Sequence, residues 1–196
     1  VPRVSQGAGS NVMSTRISKT NYYLDIAETV SERCTCLRRR YGAIIVKNDS
    51  IVSTGYNGAP RGRENCSDMG FCLRERMNIP HGERYELCRS IHAEQNAVIS
   101  ASREEMEGAT MYMVCTDPAS GAVVPGTSNC MMCRRVIINS GIKRVVIRDT
   151  RDEYREINVA DWIENDDSLP EEYKAERDGG CGAHAHTHGC ACCGEG

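Results

Sequence analysis

Apolar residues in this chain follow helical spacing in three stretches and gather into short β-branched runs between them. In KTNYYLDIAETVSERC, Tyr23, Ile26, Ala27 and Val30 share one helical face, with Ser18 placed to cap the helix. GAIIVK and IVSTGY are separated by the turn formers Asn48, Asp49 and Ser50, which predicts a hairpin. A second helical pattern runs from Ile91 through Ala101 and puts His92 and Glu94 in its first turn. ATMYMVC (109 to 115) predicts a strand, Cys130 to Ser140 a helix stopped by Gly141, and KRVVIRD a further strand. NVADWIEN has the pattern of a short helix. Strands alternating with helices after a hairpin predict an α/β fold, a three-layer α/β/α sandwich around a mixed sheet of about five strands.

The ends and one internal segment lack these periods. Residues 1–12 are aperiodic and read as a leader, residues 13–165 as the folded domain, and residues 166–196 as an acidic, then Cys/His-rich tail. From Asn57 to Arg89 the chain is rich in Gly, Pro and charge, with Cys66, Cys72 and Cys88 embedded in it. An irregular stretch of this length inside a compact domain calls for a functional or metal-based explanation.

Composition narrows the function. With 196 residues the chain can bury one substantial core. A net charge of −3, one Phe and one Trp argue against a cationic, aromatic nucleic-acid surface and favour a small-molecule substrate. The sequence has neither a span of membrane length nor a charged-then-apolar signal pattern, so a cytoplasmic location without membrane contact is the expectation. In that setting twelve cysteines point to metal ligation rather than disulfides.

The chemistry lies in His92-Ala93-Glu94 and Cys130-Met131-Met132-Cys133. CMMC alone fits a structural zinc knuckle or a redox pair, and His92 alone a structural histidine. Together they form the H-x-E and C-x-x-C signature of zinc deaminases. Two thiolates at one helix start and a histidine at another supply three ligands, leaving the fourth tetrahedral position for water, whose pKa on catalytic zinc is about 7. Glu94, two residues from the ligand histidine, is placed to move protons as general base and acid.

TCLRRRYGAIIVK (35 to 47), GYNGAPRG (55 to 62), ELCRSIHAEQNAV (86 to 98), CMMC and SGIKRVVI (140 to 147) together resemble the deoxycytidylate deaminase family of the cytidine deaminase-like superfamily. The resemblance implies hydrolysis of dCMP to dUMP with release of ammonia. It also implies a homo-oligomer, commonly a hexamer, with dCTP and dTTP as effectors and Mg2+ accompanying the effector nucleotide. It makes Asn57 a sugar ligand, Arg61 and Arg63 phosphate candidates, and Arg103, on the helix that begins with His92, a subunit or effector contact. Cys36, Cys66, Cys72 and Cys88 match places where some members hold a second, structural zinc, with Cys34 or His81 as substitutes for one of them. Cys115 is expected in the core. The family usually has Pro before the first Cys of CxxC, and here that residue is Asn129. Other readings of these residues are a deaminase of a related cytidine nucleotide and a non-catalytic zinc-stabilised nucleotide-binding module. The cluster Cys181, His184, His186, His188, Cys190, Cys192 and Cys193 reads as a metal-catching segment or, in preference, as a flexible tail that binds metals adventitiously.

Overall fold

The computed structural model describes residues 16–80, 82–166 and 168. The expected leader, His81 and the tail cluster lie outside these residues. Helix α1 (Lys19–Ser31) begins where Ser18 Oγ accepts a hydrogen bond from the Asn21 amide at 3.2 Å, the expected cap. Strands β1 (Arg40–Lys47) and β2 (Ser50–Tyr56) form the expected antiparallel hairpin. Its two-residue turn places Asn48 and Asp49 at φ 49° and 66°, the left-handed conformation that suits the twist of paired strands. The irregular region holds α2 (Cys66–Met69), α3 (Leu73–Arg76) and a 3-10 turn at Tyr85–Leu87. Then follow α4 (Ala93–Ile99), α5 (Arg103–Met106), β3 (Thr110–Thr116), α6 (Met131–Ser140), β4 (Arg144–Arg148), β5 (Tyr154–Asn158) and α7 (Val159–Glu164).

The strand order is β2-β1-β3-β4-β5, with β3 and β4 parallel and the other neighbours antiparallel. Alternation in the central strands divides the core in two. Ala43, Ile45, Met111, Met113, Val145 and Ile147 pack with Ala93 and Ala97 of α4 and Ile137 of α6 on one face. Ile44, Val46, Tyr112, Val114 and Val146 pack with Tyr23, Leu24 and Ala27 of α1 on the other. Each large aliphatic chain buried this way contributes about 1.5–3 kcal/mol. The result is the predicted mixed sheet between helical layers. Cys115 is fully buried in β3, as expected.

Two glycines bring helices unusually close to the sheet. A Cβ at Gly42 would lie 2.0 Å from the Ala27 carbonyl oxygen in α1, and one at Gly55 would lie 2.2 Å from that of Ala93 in α4. Across the α1 face, Arg148 is 1% exposed and ion-paired to Asp25 and Glu28, each at 2.7 Å. No helix among the described residues is long and apolar enough to cross a membrane.

Two expectations change. The helix that starts after His92 ends at Ile99 rather than Ala101, and Arg103 does not lie on it but opens α5. Ser102 starts that new helix by accepting a hydrogen bond from the Glu105 amide, while the Glu105 carboxylate accepts one from the Ser102 amide. Strand β5, for which no segment had been assigned, supplies the fifth strand.

Candidate active site

His92 caps α4 and Cys130 caps α6, so both ligands sit at helix N-termini, with Cys133 one turn into α6. The GYNG turn fixes the histidine. Gly55 admits α4 against β2, and Gly58 and Ile91 exchange backbone hydrogen bonds of 3.2 and 2.8 Å immediately before His92. Asn96 Nδ2 donates to the Tyr56 carbonyl at 2.7 Å and ties α4 to the same turn.

His92 Nδ1 lies 3.4 Å from Cys130 Sγ and 3.3 Å from Cys133 Sγ. Among the described residues, these three alone bring three ligand atoms within 4.8 Å of one another. A tetrahedral zinc with bonds of about 2.3 Å to sulfur and about 2.0 Å to nitrogen sets nitrogen-to-sulfur separations of roughly 3.5 Å, so the donor set fits that ion. The local electrostatics agree. The Cys130 thiol is held well below its ordinary range, first by a hydrogen bond from Cys133 and then, against burial, by one from His92. The shared proton pushes Cys133 upward. Burial opposes charge on His92, yet Cys130 and Glu94 outweigh it and raise its pKa. A coordinated metal replaces the proton these groups share.

Glu94 is 4% exposed, lines the same cavity as His92 and Cys130, and accepts a hydrogen bond from Asn129 Nδ2 at 2.8 Å. Tyr85 meets the His92 ring edge-on at 5.2 Å between centroids, and the Arg74 guanidinium stacks over Tyr85 at 4.7 Å. The irregular segment therefore props the metal ligand from the side opposite in character to the helical core.

A family model described as the cytidine and deoxycytidylate deaminase zinc-binding region matches residues 17–149. This chain belongs to the cytidine and deoxycytidylate deaminase family. The deoxycytidylate deaminase of Mycobacterium phage D29 is 37% identical over 130 residues, which are 64% of this chain and 90% of the phage protein. That of Schizosaccharomyces pombe is 34% identical over 131 residues, 67% of this chain and 37% of the yeast protein. The chain thus spans little more than a third of the yeast relative. The crystal structure of dCMP deaminase from the cyanophage S-TIM5 in apo form is 30% identical, covers 68% of this chain and 84% of that one, and has a TM-score of 0.46.

The remaining sites expected of a member of this family divide. Asn57 is buried and lines the cavity, but it also pins the start of β1: its Oδ1 accepts from the Tyr41 amide at 2.7 Å and its Nδ2 donates to the Arg39 carbonyl at 3.0 Å. One donor and one acceptor capacity of its amide are left for a ligand. Arg61 and Arg63 are exposed and do not line the cavity; the turn after Pro60 carries them outward. Cations missed in the sequence take their place: Arg38, Arg39, Arg74 and Arg89. Arg38 was within reach, since it lies in the quoted CLRRR run, while Arg74 and Arg89 carry no periodic signal. Arg103 is exposed at the head of α5.

Cys36, Cys66, Cys72 and Cys88 all line the cavity. The Cys66 thiol is pushed up first by burial and then by the charges of the other three, which are its neighbours. Among the described residues, no three of these sulfurs come together as closely as the ligand atoms of His92, Cys130 and Cys133. Cys66 opens α2 and Cys72 caps α3.

Proposed function

We propose that this protein is a zinc-dependent deaminase that converts dCMP to dUMP with release of ammonia. The observation that carries the reading is the convergence of His92, Cys130 and Cys133, with buried Glu94 on the same cavity wall. A zinc ion held by those three residues supplies a water of lowered pKa. Glu94 would take that water's proton and deliver it to the ring nitrogen as the water oxygen bonds to the amino-bearing carbon; it would then collect the proton of the added hydroxyl and pass it to the amine, so that the C–N bond breaks and ammonia leaves. Asn57 uses its spare amide capacity on the sugar.

A phosphorylated substrate is favoured over a nucleoside by the arginines. Arg38 Nη1, Arg74 Nε and Arg89 Nε are buried in this cavity wall with no hydrogen-bond partner among the described residues. Buried guanidinium groups with spare donors suit a phosphate.

The test is to incubate the zinc-loaded protein with dCMP, CMP and deoxycytidine and measure ammonia and the deaminated product. dCMP should react fastest, and Glu94→Gln should lower kcat by about 10²–10⁴ while retaining zinc. Equal rates for Glu94→Gln and the wild type would remove the proposed proton shuttle, and no ammonia from any substrate would remove the deaminase reading itself. The proposal extends to a second zinc on Cys36, Cys66, Cys72 and Cys88, which requires the thiols to close on the ion. Elemental analysis should then give two zinc ions per chain, falling to one in Cys66→Ser; a single ion in both proteins rules it out.

A further inference from the structure

We infer that Asn129 is a positioning residue for Glu94: its side-chain amide holds one carboxyl oxygen and so fixes the direction in which the other faces the cavity. The inference rests on the deaminase reading, and it concerns the residue at which this chain departs from the usual Pro of its family.

Asn129 is 2% exposed and closes the loop from β3, one residue before the ligand Cys130. Its Nδ2 donates to Glu94 Oε1 at 2.8 Å, a bond between residues 35 apart in sequence, and lies 3.5 Å from Met113 Sδ. Its carbonyl oxygen accepts from Arg134 Nε at 3.1 Å, which fixes the corner where the loop enters α6. Turning the amide over would set Oδ1 against the Glu94 carboxyl oxygen and give up the bond that Nδ2 donates to it.

Asn129 Oδ1 is buried and has no hydrogen-bond partner among the described residues. The side-chain contacts of the amide are made by Nδ2, to Glu94 and to Met113. The Pro usual in the family has no side-chain donor, so this carboxyl has a restraint that a Pro there cannot supply.

The chemical consequence follows from the donor inventory. While Oε1 accepts the Asn129 N–H, Oε2 is the oxygen left free of that bond, and the carboxyl presents it in one direction. The restraint also stops the carboxyl from turning about its last torsion, which is otherwise broad and two-fold. Glu94 then faces the cavity with one oxygen in one orientation, and orientation of this kind governs the rate of the chemical step.

The measurements are kcat and KM for dCMP, zinc content and melting temperature of Asn129→Leu, which keeps the branched shape and removes the donor. Loss of orientation should lower kcat roughly 10–100-fold, with KM within about threefold and zinc unchanged. Unaltered kcat in a folded, zinc-loaded Asn129→Leu protein overturns the inference. A second measurement needs neither that variant nor activity. In the wild-type protein the Asn129 side-chain NH2, followed by NMR, should exchange slowly with solvent and lose that protection in Glu94→Ala. Fast exchange in the wild type also overturns it. An inactive wild type with a protected amide would instead count against the deaminase reading while leaving the contact intact.

Discussion

The metal ligands and the arginines of the same cavity come from regions built in different ways. His92, Cys130 and Cys133 sit at the starts of α4 and α6, helices that lie on the sheet over Ala43, Ile45, Met111 and Met113. Their positions are consequences of a packed core, and a close-packed core resists small displacements. Arg74 and Arg89 belong instead to the segment between the GYNG turn and His92, where short turns and side-chain contacts replace apolar packing. Arg74 illustrates the method: it is 5% exposed, donates to the carbonyls of Pro80 and Glu83, and stacks on Tyr85. The arrangement puts the ligands that must hold fixed distances on the rigid side. The arginines proposed to recognise a charged substrate sit on the side held by polar contacts, where substitutions are expected to retune recognition without moving the metal site.

That comparison can be broken by substitutions that move one side only. The largest effect is expected for Arg74→Met, which removes a buried cation with a spare donor. A charge-assisted hydrogen bond is worth about 1.5–3 kcal/mol, so KM for dCMP should rise about 10–100-fold. The value for deoxycytidine should hardly change. An equal rise for the nucleoside would show that Arg74 serves the loop and not the phosphate. Next is Gly55→Ala, aimed at the rigid side. The new methyl would lie 2.2 Å from the Ala93 carbonyl oxygen and 2.3 Å from the Ala97 amide nitrogen, so α4 must shift. Such overpacking costs about 1–3 kcal/mol, and each kcal/mol lowers Tm by about 2–4 °C in a domain of this size. kcat and zinc retention should fall with it, and an unchanged Tm would mean that the close approach matters little. Smallest is the pair Arg61→Ala and Arg63→Ala, which should change KM by no more than about twofold, as exposed substitutions generally do.

The regular half of the molecule was legible because its residues repeat with the period of the structure they form. The α1 face, the hairpin, α6 and its Gly141 stop, and β3 and β4 all follow from spacing and turn chemistry. Strand β5 was missed because Tyr154–Asn158 reads YREIN and lies at the sheet edge, where only Ile157 packs inward. Helices α2 and α3 are four residues each, about one turn, and leave no recurring apolar position to detect. The metal ligands were legible because spacing within H-x-E and C-x-x-C encodes their convergence. The arginines were not. Arg61 and Arg63 adjoin a recognised turn in sequence, yet the backbone after Pro60 directs them to solvent. Arg74 and Arg89 reach the cavity by an irregular path that no period records. Asn129 was visible only as a departure from the family pattern, and its contact with Glu94 needed the fold.

The buried Arg148 bears on how the protein is made. Its partners Asp25 and Glu28 lie on α1, and Arg148 follows Glu28 by 120 residues. Until that arginine emerges, α1 has neither its ion-pair partner nor the β4 part of the face it covers. Chains whose contacts join such distant segments fold slowly, because a long loop must close before the contact forms. The cysteine ligands are synthesised before the arginine that completes the opposite face of the sheet.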